Sequence, residues 1–301
     1  MIEKNKHRFL ITGGTGLIGS RLVEKLLSLG NSVTVITRKT DLKSSENLHY
    51  LNKIEEDFNY DIVINLCGEP ISCRWNISKK QKIYSSRIDL TKNLVEKILN
   101  SKTPPKIFIS GSAIGYYGTS DTEIFDENSH PTNQNLFSQK LCFDWEKEAR
   151  KADKKTRVVI LRTGIVLGAK GGIIQKMLLP FKMFLGGRIA SGKQFLSWIH
   201  IDDMVNAILH LIAHQNIAGA VNLTSPNPVT NLQFSQVLAK NLYRPCLFTI
   251  PAISMKIAYG EMAEELLLNG QKVYPRVLLE SGYNFKFTDL GSAMSDVLKN
   301  N

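Results

Sequence analysis

The chain carries near its start the run Thr12-Gly13-Gly14-Thr15-Gly16-Leu17-Ile18-Gly19, whose glycines have the spacing GxxGxxG. A short apolar segment, Arg8–Thr12, precedes the run, and apolar residues at helical spacing follow it over Leu17–Leu29. In this setting Gly13 permits a tight turn, Gly16 lets the backbone approach a pyrophosphate, and Gly19 lets helix and strand pack closely. The helix N-terminus would offer free N–H groups to the phosphates. The run therefore predicts a dinucleotide-binding loop, the alternative being a purely structural glycine turn.

The rest of the first half alternates strand and helix patterns. Further strand patterns cover Ser32–Thr37, Asp61–Leu66, Lys106–Ser110, Arg157–Leu161 and Val221–Leu223. Helical patterns cover Ser78–Asn100, Leu136–Ala152 and Asp202–His214. Strands that are apolar on both faces belong to a parallel sheet covered by helices on each side. The predicted fold is α/β, a Rossmann-type doubly wound parallel sheet.

The alternation loosens after Gly168. From Thr224 onward the pattern suggests two or three helices and two short strands. We therefore expect a dinucleotide-binding Rossmann domain over residues 1–223, with residues 169–198 contributing to a substrate cleft. A smaller C-terminal substrate lobe over residues 224–301 would cover the carboxyl edge of the sheet, where ligands bind in such folds.

Composition narrows the class of protein. The 301 residues are 43% hydrophobic and 22% charged, as in soluble globular proteins. The net charge of +11 comes from basic residues spread along the chain, so nucleic acid is not an expected partner. The four cysteines, at 67, 73, 142 and 246, lack metal-site spacing and fit a reducing compartment. With no signal peptide or membrane span in the sequence, we expect a cytoplasmic protein with no metal and no membrane partner.

The end of the second strand bears on the choice of cofactor. NAD-selective sites place an Asp or Glu there to accept from the ribose 2′-hydroxyl. This chain has Thr37-Arg38-Lys39 and no acid before Asp41. A guanidinium at this place would pair with a 2′-phosphate, so NADP is favoured over NAD. The alternative is that Arg38 is a surface residue on a loop.

The segment after the fourth strand, Asn65-Leu66-Cys67-Gly68, would pass under the adenine ribose and pyrophosphate. Gly68 would allow a close approach there. Cys67 fits a small buried residue better than a nucleophile, because no base stands near it in sequence.

Motifs along nearly the whole chain resemble the extended short-chain dehydrogenase/reductase superfamily, and more closely its YfcH-like epimerase family. They include TGGTGLIG (12–19), SGSAIGYYG (110–118), LRTGIVLG (161–168), SWIHIDD (197–203) and GEMAEELLLNGQKVYP (260–275). The family is described as nucleoside-diphosphate-sugar epimerases. The resemblance implies that the cofactor lies along the glycine loop and along Thr37, Arg38, Leu66, Cys67, Glu69 and Arg87. For Arg87, a surface position on its helix is the alternative.

Relatives of this kind use a Ser or Thr at the end of the fifth strand and a Tyr-x-x-x-Lys pair on the next helix. Ser112 fits the first position and Lys140 fits the lysine, but Leu136 stands where the tyrosine is expected. A leucine cannot exchange a proton. Tyr116 or Tyr117 could replace the missing phenol, with Tyr116 the candidate we name; alternatively both pack beneath the substrate lobe.

Two functions remain open from the sequence. The first is an NADP(H)-dependent epimerase, dehydratase or reductase acting on a nucleoside-diphosphate sugar, with Arg188 and Lys193 as candidate contacts of the diphosphate. The second is a catalytically quiet NADP-binding sensor or scaffold, for which Leu136 is the reason. A homodimer is one assembly left open. In SWIHIDD, Asp202 is expected to cap the following helix, and His200 is a weaker catalytic candidate.

Overall fold

A computed structural model describes residues 6–132 and 135–300. The strands are β1 (Arg8–Thr12), β2 (Ser32–Ile36), β3 (Leu48–Leu51), β4 (Ile62–Asn65), β5 (Ile107–Ala113), β6 (Ile124–Phe125), β7 (Arg157–Thr163), β8 (Ile165–Gly168), β9 (Gly187–Ile189), β10 (Phe195–Leu196), β11 (Trp198–His200), β12 (Gly219–Leu223), β13 (Val229–Thr230), β14 (Phe248–Ile250) and β15 (Lys272–Val273). The α-helices are α1 (Leu17–Ser28), α2 (Ile77–Asn100), α3 (Phe137–Ala149), α4 (Gly172–Lys182), α5 (Ile201–Ala213), α6 (Asn231–Asn241), α7 (Ala252–Tyr259), α8 (Glu261–Ala263), α9 (Arg276–Glu280) and α10 (Leu290–Lys299).

The central sheet contains seven parallel strands in the order β3-β2-β1-β4-β5-β7-β12. The strand order reverses between β1 and β4, which pair from Phe9 with Ile62 to Thr12 with Asn65. In a doubly wound sheet a ligand crevice opens at the carboxyl ends of the strands on either side of such a reversal. The predicted α/β Rossmann fold is therefore confirmed, and its crevice lies where the glycine run leaves β1.

Both faces of the sheet are buried, as the apolar strands indicated. On β1, Phe9 and Ile11 belong to the core cluster shared with α1 and α5, whereas Leu10 belongs to the cluster on the opposite face. Successive side chains of a strand point to opposite faces, so a strand buried on both sides must be apolar throughout. Among the described residues, no helix combines the length and the apolar character needed to cross a bilayer.

The second half builds a further core beside the sheet. Trp198, Phe234 and Leu178 are buried in a cluster formed largely by α4, α6 and α10. The chain then returns to the sheet, where Leu278 and Tyr283 join the cluster that includes α1 and α5. Residues beyond 223 thus contribute to both cores, and the domain boundary at 223 stays a prediction.

Two parts of the sequence-based prediction differ from the structure. The sequence did not locate the strand between residues 37 and 61, where β3 forms the sheet edge. This strand is largely half-exposed, so its apolar signal is weak. After Thr224 the described chain contains more elements than expected, from β13 to α10. Several of these have five residues or fewer, too short for periodicity to identify them.

Candidate functional site

The glycine loop is pressed against the end of β4. Gly13 has φ +74°, and a Cβ on it would lie 2.6 Å from the Leu66 carbonyl carbon. A Cβ on Gly19 would lie 2.2 Å from the Gly13 carbonyl oxygen, so α1 meets the loop with no room for a side chain. Gly16 closes the turn by donating its N–H to that same oxygen at 3.0 Å. Loop, strand and helix are therefore held as closely as the glycine spacing predicted.

The N-terminus of α1 opens toward the crevice. Its N-cap is Gly16, which has no side chain to bond the first N–H groups, and the first turn contains no acid. Among the described residues the side chain of Ile18 lines the adjoining cleft. Free N–H groups and the positive end of the helix dipole make this a site that suits phosphate.

Arg87 lies on α2 beneath the segment that follows β4. A Cβ on Gly68 would be 2.7 Å from the Arg87 Cζ, so only glycine lets the chain pass over the guanidinium. Arg87 Nη1 donates to the carbonyl oxygens of Glu69 and Ile83, both at 3.1 Å. Its remaining N–H groups have no acceptor among the residues described, and the side chain lines the cleft. Arg87 can therefore donate to an anion in the crevice.

Arg38 reaches the same region from the end of β2. It is exposed and forms no ion pair within the described part of the chain. Burial raises the pKa of the Cys67 thiol, and the charges of Arg38 and Arg87 oppose that rise. The positive charges of two guanidinium groups thus both influence the Cys67 thiol, which follows β4. Glu69 beside them is neutralised by Lys79, with Nζ and Oε1 2.6 Å apart.

A cleft of about 360 Å³ continues from the glycine loop to the C-terminal residues. Its lining is mostly apolar and comprises Ile18, Leu66, Ile71, Arg87, Gly111, Ser112, Ala113, Ile114, Gly115, Gly118, Thr119, Leu136, Ser138, Leu141, Cys142, Trp145, Thr163, Gly164, Ile165, Phe195, Leu196, Ser197, Glu265, Leu266, Asn269, Gly270 and Gln271. The cleft therefore brings Ile18, Leu66, Arg87 and Ser112 together from the predicted site residues. The other predicted site residues are not among these lining residues: Gly13, Gly14, Thr15, Gly16, Leu17, Gly19, Thr37, Arg38, Cys67, Gly68, Glu69, Tyr116, Lys140, Arg188 and Lys193.

Ser112 is the cleft end of a buried polar network. Its hydroxyl donates to Glu146 Oε1 at 2.8 Å. Arg162 donates to both oxygens of that carboxylate at 2.9 Å, and Arg162 and Glu146 are each 3% exposed. Arg162 Nη1 also donates at 3.0 Å to the Tyr117 hydroxyl, which donates to Asn222. Ser112 is thereby coupled to a fully paired buried carboxylate.

The two tyrosines after β5 surround the Arg162 end of this network. The Tyr116 ring lies over the guanidinium, 3.4 Å from Cζ to the ring centroid, and packs against Phe143. Tyr117 is completely buried, and burial raises its pKa to about 12. Tyr117 is directed away from solvent, whereas Tyr116 is half-buried, and a catalytic role for Tyr116 stays a prediction.

Leu136 and Lys140 lie on the first turn of α3 but differ in their surroundings. Leu136 is the N-cap, and its carbonyl oxygen accepts the Lys140 N–H at 3.0 Å. Leu136 lines the cleft, whereas the Lys140 side chain is 73% exposed and pairs with Asp144 at 3.1 Å. The lysine charge is directed to the surface.

The two predicted diphosphate contacts lie outside the cleft lining. Arg188 is half-buried on β9 and donates from Nε to Thr249 Oγ1 at 3.1 Å. Lys193 is exposed on the loop before β10. Their role in substrate binding stays a prediction.

Glu265, Glu146 and Arg162 were missed in the sequence. Glu265 is 6% exposed, lines the cleft, and accepts the N–H groups of Phe137 and Ser138 at 2.9 Å each, so it holds the start of α3. Arg162 offered a signal, because a charge that continues an apolar parallel strand must be paired inside the protein.

His200 and Asp202 lie in a separate group with Asp296, away from the cleft. His200, not Asp202, caps α5: its Nδ1 accepts the Asp202 N–H at 3.1 Å, because β11 ends at His200. The three side chains place ligand atoms within 4.8 Å of one another. However, Asp202 already pairs with Arg21 and Lys286, and Nδ1 of His200 is used by the cap. Asp202, Arg21 and Lys286 thus form ion pairs beside His200, whose Nε2 lies 3.3 Å from Asp296 Oδ2.

Comparisons with known proteins agree with this geometry. Residues 9–223 match the NAD dependent epimerase/dehydratase family, and residues 250–297 match a domain of unknown function, DUF1731. An Arabidopsis thaliana protein described as a chloroplastic homolog of the epimerase family protein SDR39U1 is 37% identical, over 96% of this chain and 86% of its own length.

Solved structures give the same result. Human epimerase family protein SDR39U1, determined with NADPH, is 34% identical with a TM-score of 0.89, covering 98% of this chain and 100% of that one. A nucleoside-diphosphate sugar epimerase from Corynebacterium glutamicum is 29% identical with a TM-score of 0.79, covering 99% of this chain and 59% of that one. The chain therefore belongs to the NAD dependent epimerase/dehydratase family, in the group of SDR39U1-like epimerase family proteins.

Proposed function

We propose that this protein binds NADP(H) in the crevice and uses it to oxidise or reduce a small molecule held in the cleft. The observation that carries the proposal is the close packing of the glycine loop against Leu66 at the end of β4, with Arg87 beneath Gly68. The charge of Arg38 acts on Cys67 in the same segment. The human relative determined with NADPH supports the choice of cofactor.

The residues present fit a dinucleotide with a 2′-phosphate. The open N-terminus of α1 and the backbone of Gly13 to Gly16 would hold the pyrophosphate. Arg38 would pair with the 2′-phosphate, since no acid stands at the end of β2 to repel it. Arg87, whose pKa is lowered by burial, would donate to a phosphate or ribose oxygen across Gly68.

The nicotinamide, when bound, supplies a hydride donor or acceptor. Ser112 is the cleft hydroxyl placed to bond the reacting oxygen of a substrate. Because its own proton is held by Glu146, Ser112 can accept the proton of a substrate hydroxyl while passing its own to that carboxylate. Arg162 would hold the Glu146 carboxylate in place through two hydrogen bonds.

For the substrate class we propose a nucleoside-diphosphate sugar, with epimerisation, dehydration or reduction as the reaction. The similarity to the nucleoside-diphosphate sugar epimerase of Corynebacterium glutamicum supports this class. Arg188 and Lys193 would need to approach the cleft mouth to contact a diphosphate, since Arg188 bonds Thr249 in the structure. A panel of uridine- and thymidine-diphosphate sugars, tested for change in nicotinamide absorbance or for epimerised product, examines this class directly.

Arg38→Ala is expected to weaken NADPH binding about ten-fold and leave NADH binding unchanged, since one charge-assisted phosphate contact contributes about 1.5–3 kcal/mol. Trp145 lines the cleft, so quenching of tryptophan fluorescence during titration reports binding. Lys39→Ala, at the exposed neighbouring position, is the matched control. Equal losses for both nucleotides, or for both variants, would contradict the role given to Arg38.

Ser112→Ala is expected to lower kcat about a hundred-fold or more while the NADPH dissociation constant stays unchanged, because it removes the hydroxyl at the reacting oxygen. Turnover of a substrate found in the panel is the measurement. Ser110→Ala is the control, since Ser110 is buried on the same strand and bonds the neighbouring Gly111 carbonyl. Retention of full turnover by Ser112→Ala would show that another group handles the proton.

A second candidate function is a catalytically quiet NADP-binding sensor or scaffold. It is favoured by Leu136 in the tyrosine position and by the outward direction of Lys140. This alternative expects cofactor binding to change shape or association without hydride transfer. Turnover of any substrate by the native protein rules it out.

A further inference from the structure

Large apolar side chains are exposed in one part of the molecule. Among the described residues fifteen are exposed, and ten of these lie between residues 179 and 259. Tyr243 is 90% exposed and Leu247 81%, and the end of α4 adds Leu179, Met183 and Phe184 at 53–66%. Single exposed apolar residues are ordinary, but a cluster of this size marks an interaction surface.

These residues form one continuous surface. Arg244 donates to the Lys182 carbonyl oxygen at 3.4 Å, and its guanidinium lies 4.5 Å from the Phe184 ring centroid. On the other side β14 pairs with β9, placing Phe248 beside Gly187. We call residues 179–187 together with residues 243–259 the α4–α7 face.

Helix α7 lacks the packing that its composition requires. Its eight residues, AISMKIAY, include none that is buried, and Ile253 and Ile257 are 62% and 67% exposed. Two polar contacts hold it: Lys256 pairs with Glu264 at 2.8 Å, and Arg74 donates to the Ile257 carbonyl oxygen. A short apolar helix is normally stabilised by burying a face, so α7 presents its apolar side chains to something outside this chain.

The charge of this region is strongly one-sided. Basic residues are spread along the chain, but residues 154–260 contain twelve Lys and Arg against only Asp202 and Asp203. The remainder has twenty-six basic and twenty-five acidic residues, so this stretch holds ten of the eleven net charges. The α4–α7 face itself carries Lys182, Arg244 and Lys256 and no acidic residue. Glu264, outside the face, pairs with Lys256, whereas Lys182 and Arg244 form no ion pair within the described part of the chain.

A second copy of this chain is a poor candidate for the partner that covers the α4–α7 face. A symmetric contact would place the same positive surface against itself, and the rest of the chain has no acidic excess to receive it. The occupant must therefore be negative and must accept apolar side chains that project from separate turns. Phe184 and Tyr243 both sit in left-handed turns, with φ of 63° and 55°. A lipid interface accepts projecting side chains of any arrangement, whereas an acidic protein would need a matching shape.

We propose that the α4–α7 face binds reversibly to the surface of a membrane that contains anionic lipids. Phe184, Tyr243 and Leu247 enter the interfacial layer, and Lys182 and Arg244 meet the headgroup phosphates. This goes beyond the cofactor chemistry and differs from the expectation, drawn from the sequence, of no membrane partner.

Flotation of the full chain with lipid vesicles tests the proposal. Vesicles of phosphatidylglycerol with phosphatidylethanolamine are expected to carry the protein upward, and vesicles of phosphatidylcholine alone are not. The binding should fall several-fold in about 0.5 M NaCl, where the Debye length is only a few ångströms. Failure to float with the anionic vesicles overturns the proposal, and an acidic protein then becomes the occupant to seek.

Two pairs of variants locate the surface. Tyr243→Ser with Leu247→Ser is expected to weaken vesicle binding about ten-fold or more, because two interfacial side chains are lost. Ile77→Ser with Ile124→Ser removes equally exposed apolar residues elsewhere, at 88% and 66% exposure, and should have no effect. NADPH titration of each variant checks that it is folded. Equal losses in both pairs would assign the binding to general hydrophobicity and overturn the proposal.

The charges are tested in the same way. Lys182→Glu with Arg244→Glu is expected to abolish the preference for anionic vesicles. Lys92→Glu with Lys39→Glu makes the same change in net charge at exposed positions outside the face and should keep most of the binding. An equal effect of both pairs would show that overall charge, rather than this face, attracts the protein, which contradicts the proposal.

Discussion

Arg162→Met is expected to lower the free energy of unfolding by about 3–5 kcal/mol, because it leaves Glu146 buried without its counter-charge. Both oxygens of that carboxylate accept from Arg162, and both residues are 3% exposed. The guanidinium also donates to the Tyr117 hydroxyl, so the substitution removes three buried hydrogen bonds at once. Urea denaturation followed by tryptophan fluorescence measures the loss.

A double variant separates the lost charge pair from lost packing. Arg162→Met combined with Glu146→Met replaces the pair by apolar groups of similar length and is expected to be more stable than Arg162→Met alone. Lys256→Met, which breaks the exposed pair with Glu264, is the surface control and should cost less than about 1 kcal/mol. A double variant as unstable as the sum of the two single variants would contradict the account of an uncompensated charge.

Gly19→Ala is expected to weaken NADPH binding about a hundred-fold, the size of effect seen when a site is displaced by about 1 Å. Alanine in place of a helical glycine normally stabilises by about 1 kcal/mol. Here the added Cβ would lie 2.2 Å from the Gly13 carbonyl oxygen and 2.7 Å from the Gly14 Cα. Both are backbone atoms, so the loop itself must move, at a cost of about 1–3 kcal/mol in stability.

Ser20→Ala is the control for this substitution, since Ser20 is the next residue of α1 and is exposed. It should preserve NADPH affinity and leave stability unchanged or slightly raised. Titration is carried out at a temperature where both variants remain folded. Wild-type affinity in Gly19→Ala would show that the loop does not hold the pyrophosphate.

The central sheet and the predicted cofactor-binding loop could be predicted because each is specified by a short, local sequence pattern. The glycine spacing specifies a turn and a close contact within eight residues, and the structure has both at Gly13 and Gly19. The apolar runs of β1, β4 and β5 are typical of strands buried on two faces. Arg38 follows β2 directly, so its place at the crevice also follows from chain order.

The interior of the cleft could not be predicted because it depends on contacts between distant elements. Lys140 was placed by its spacing from Leu136, but its side chain pairs with Asp144 at the surface, a contact that the spacing does not reveal. Glu146, on α3, bonds Ser112, which lies thirty-four residues earlier on β5. It also bonds Arg162, which lies on another strand, β7. Such pairings depend on how helices and strands pack, which no short motif records.

The hydrogen bonds between Glu265 and the first turn of α3 limit how the two regions of the chain can be exchanged by recombination during evolution. Residues 9–223 and residues 250–297 match separate family descriptions, as independently exchangeable modules would. Yet the N–H groups of Phe137 and Ser138, in the first region, are bonded by the Glu265 carboxylate of the second. A recombination that exchanged one half without a matching carboxylate would leave those N–H groups unbonded beside the cleft. Selection should therefore pass the two regions on as a single unit.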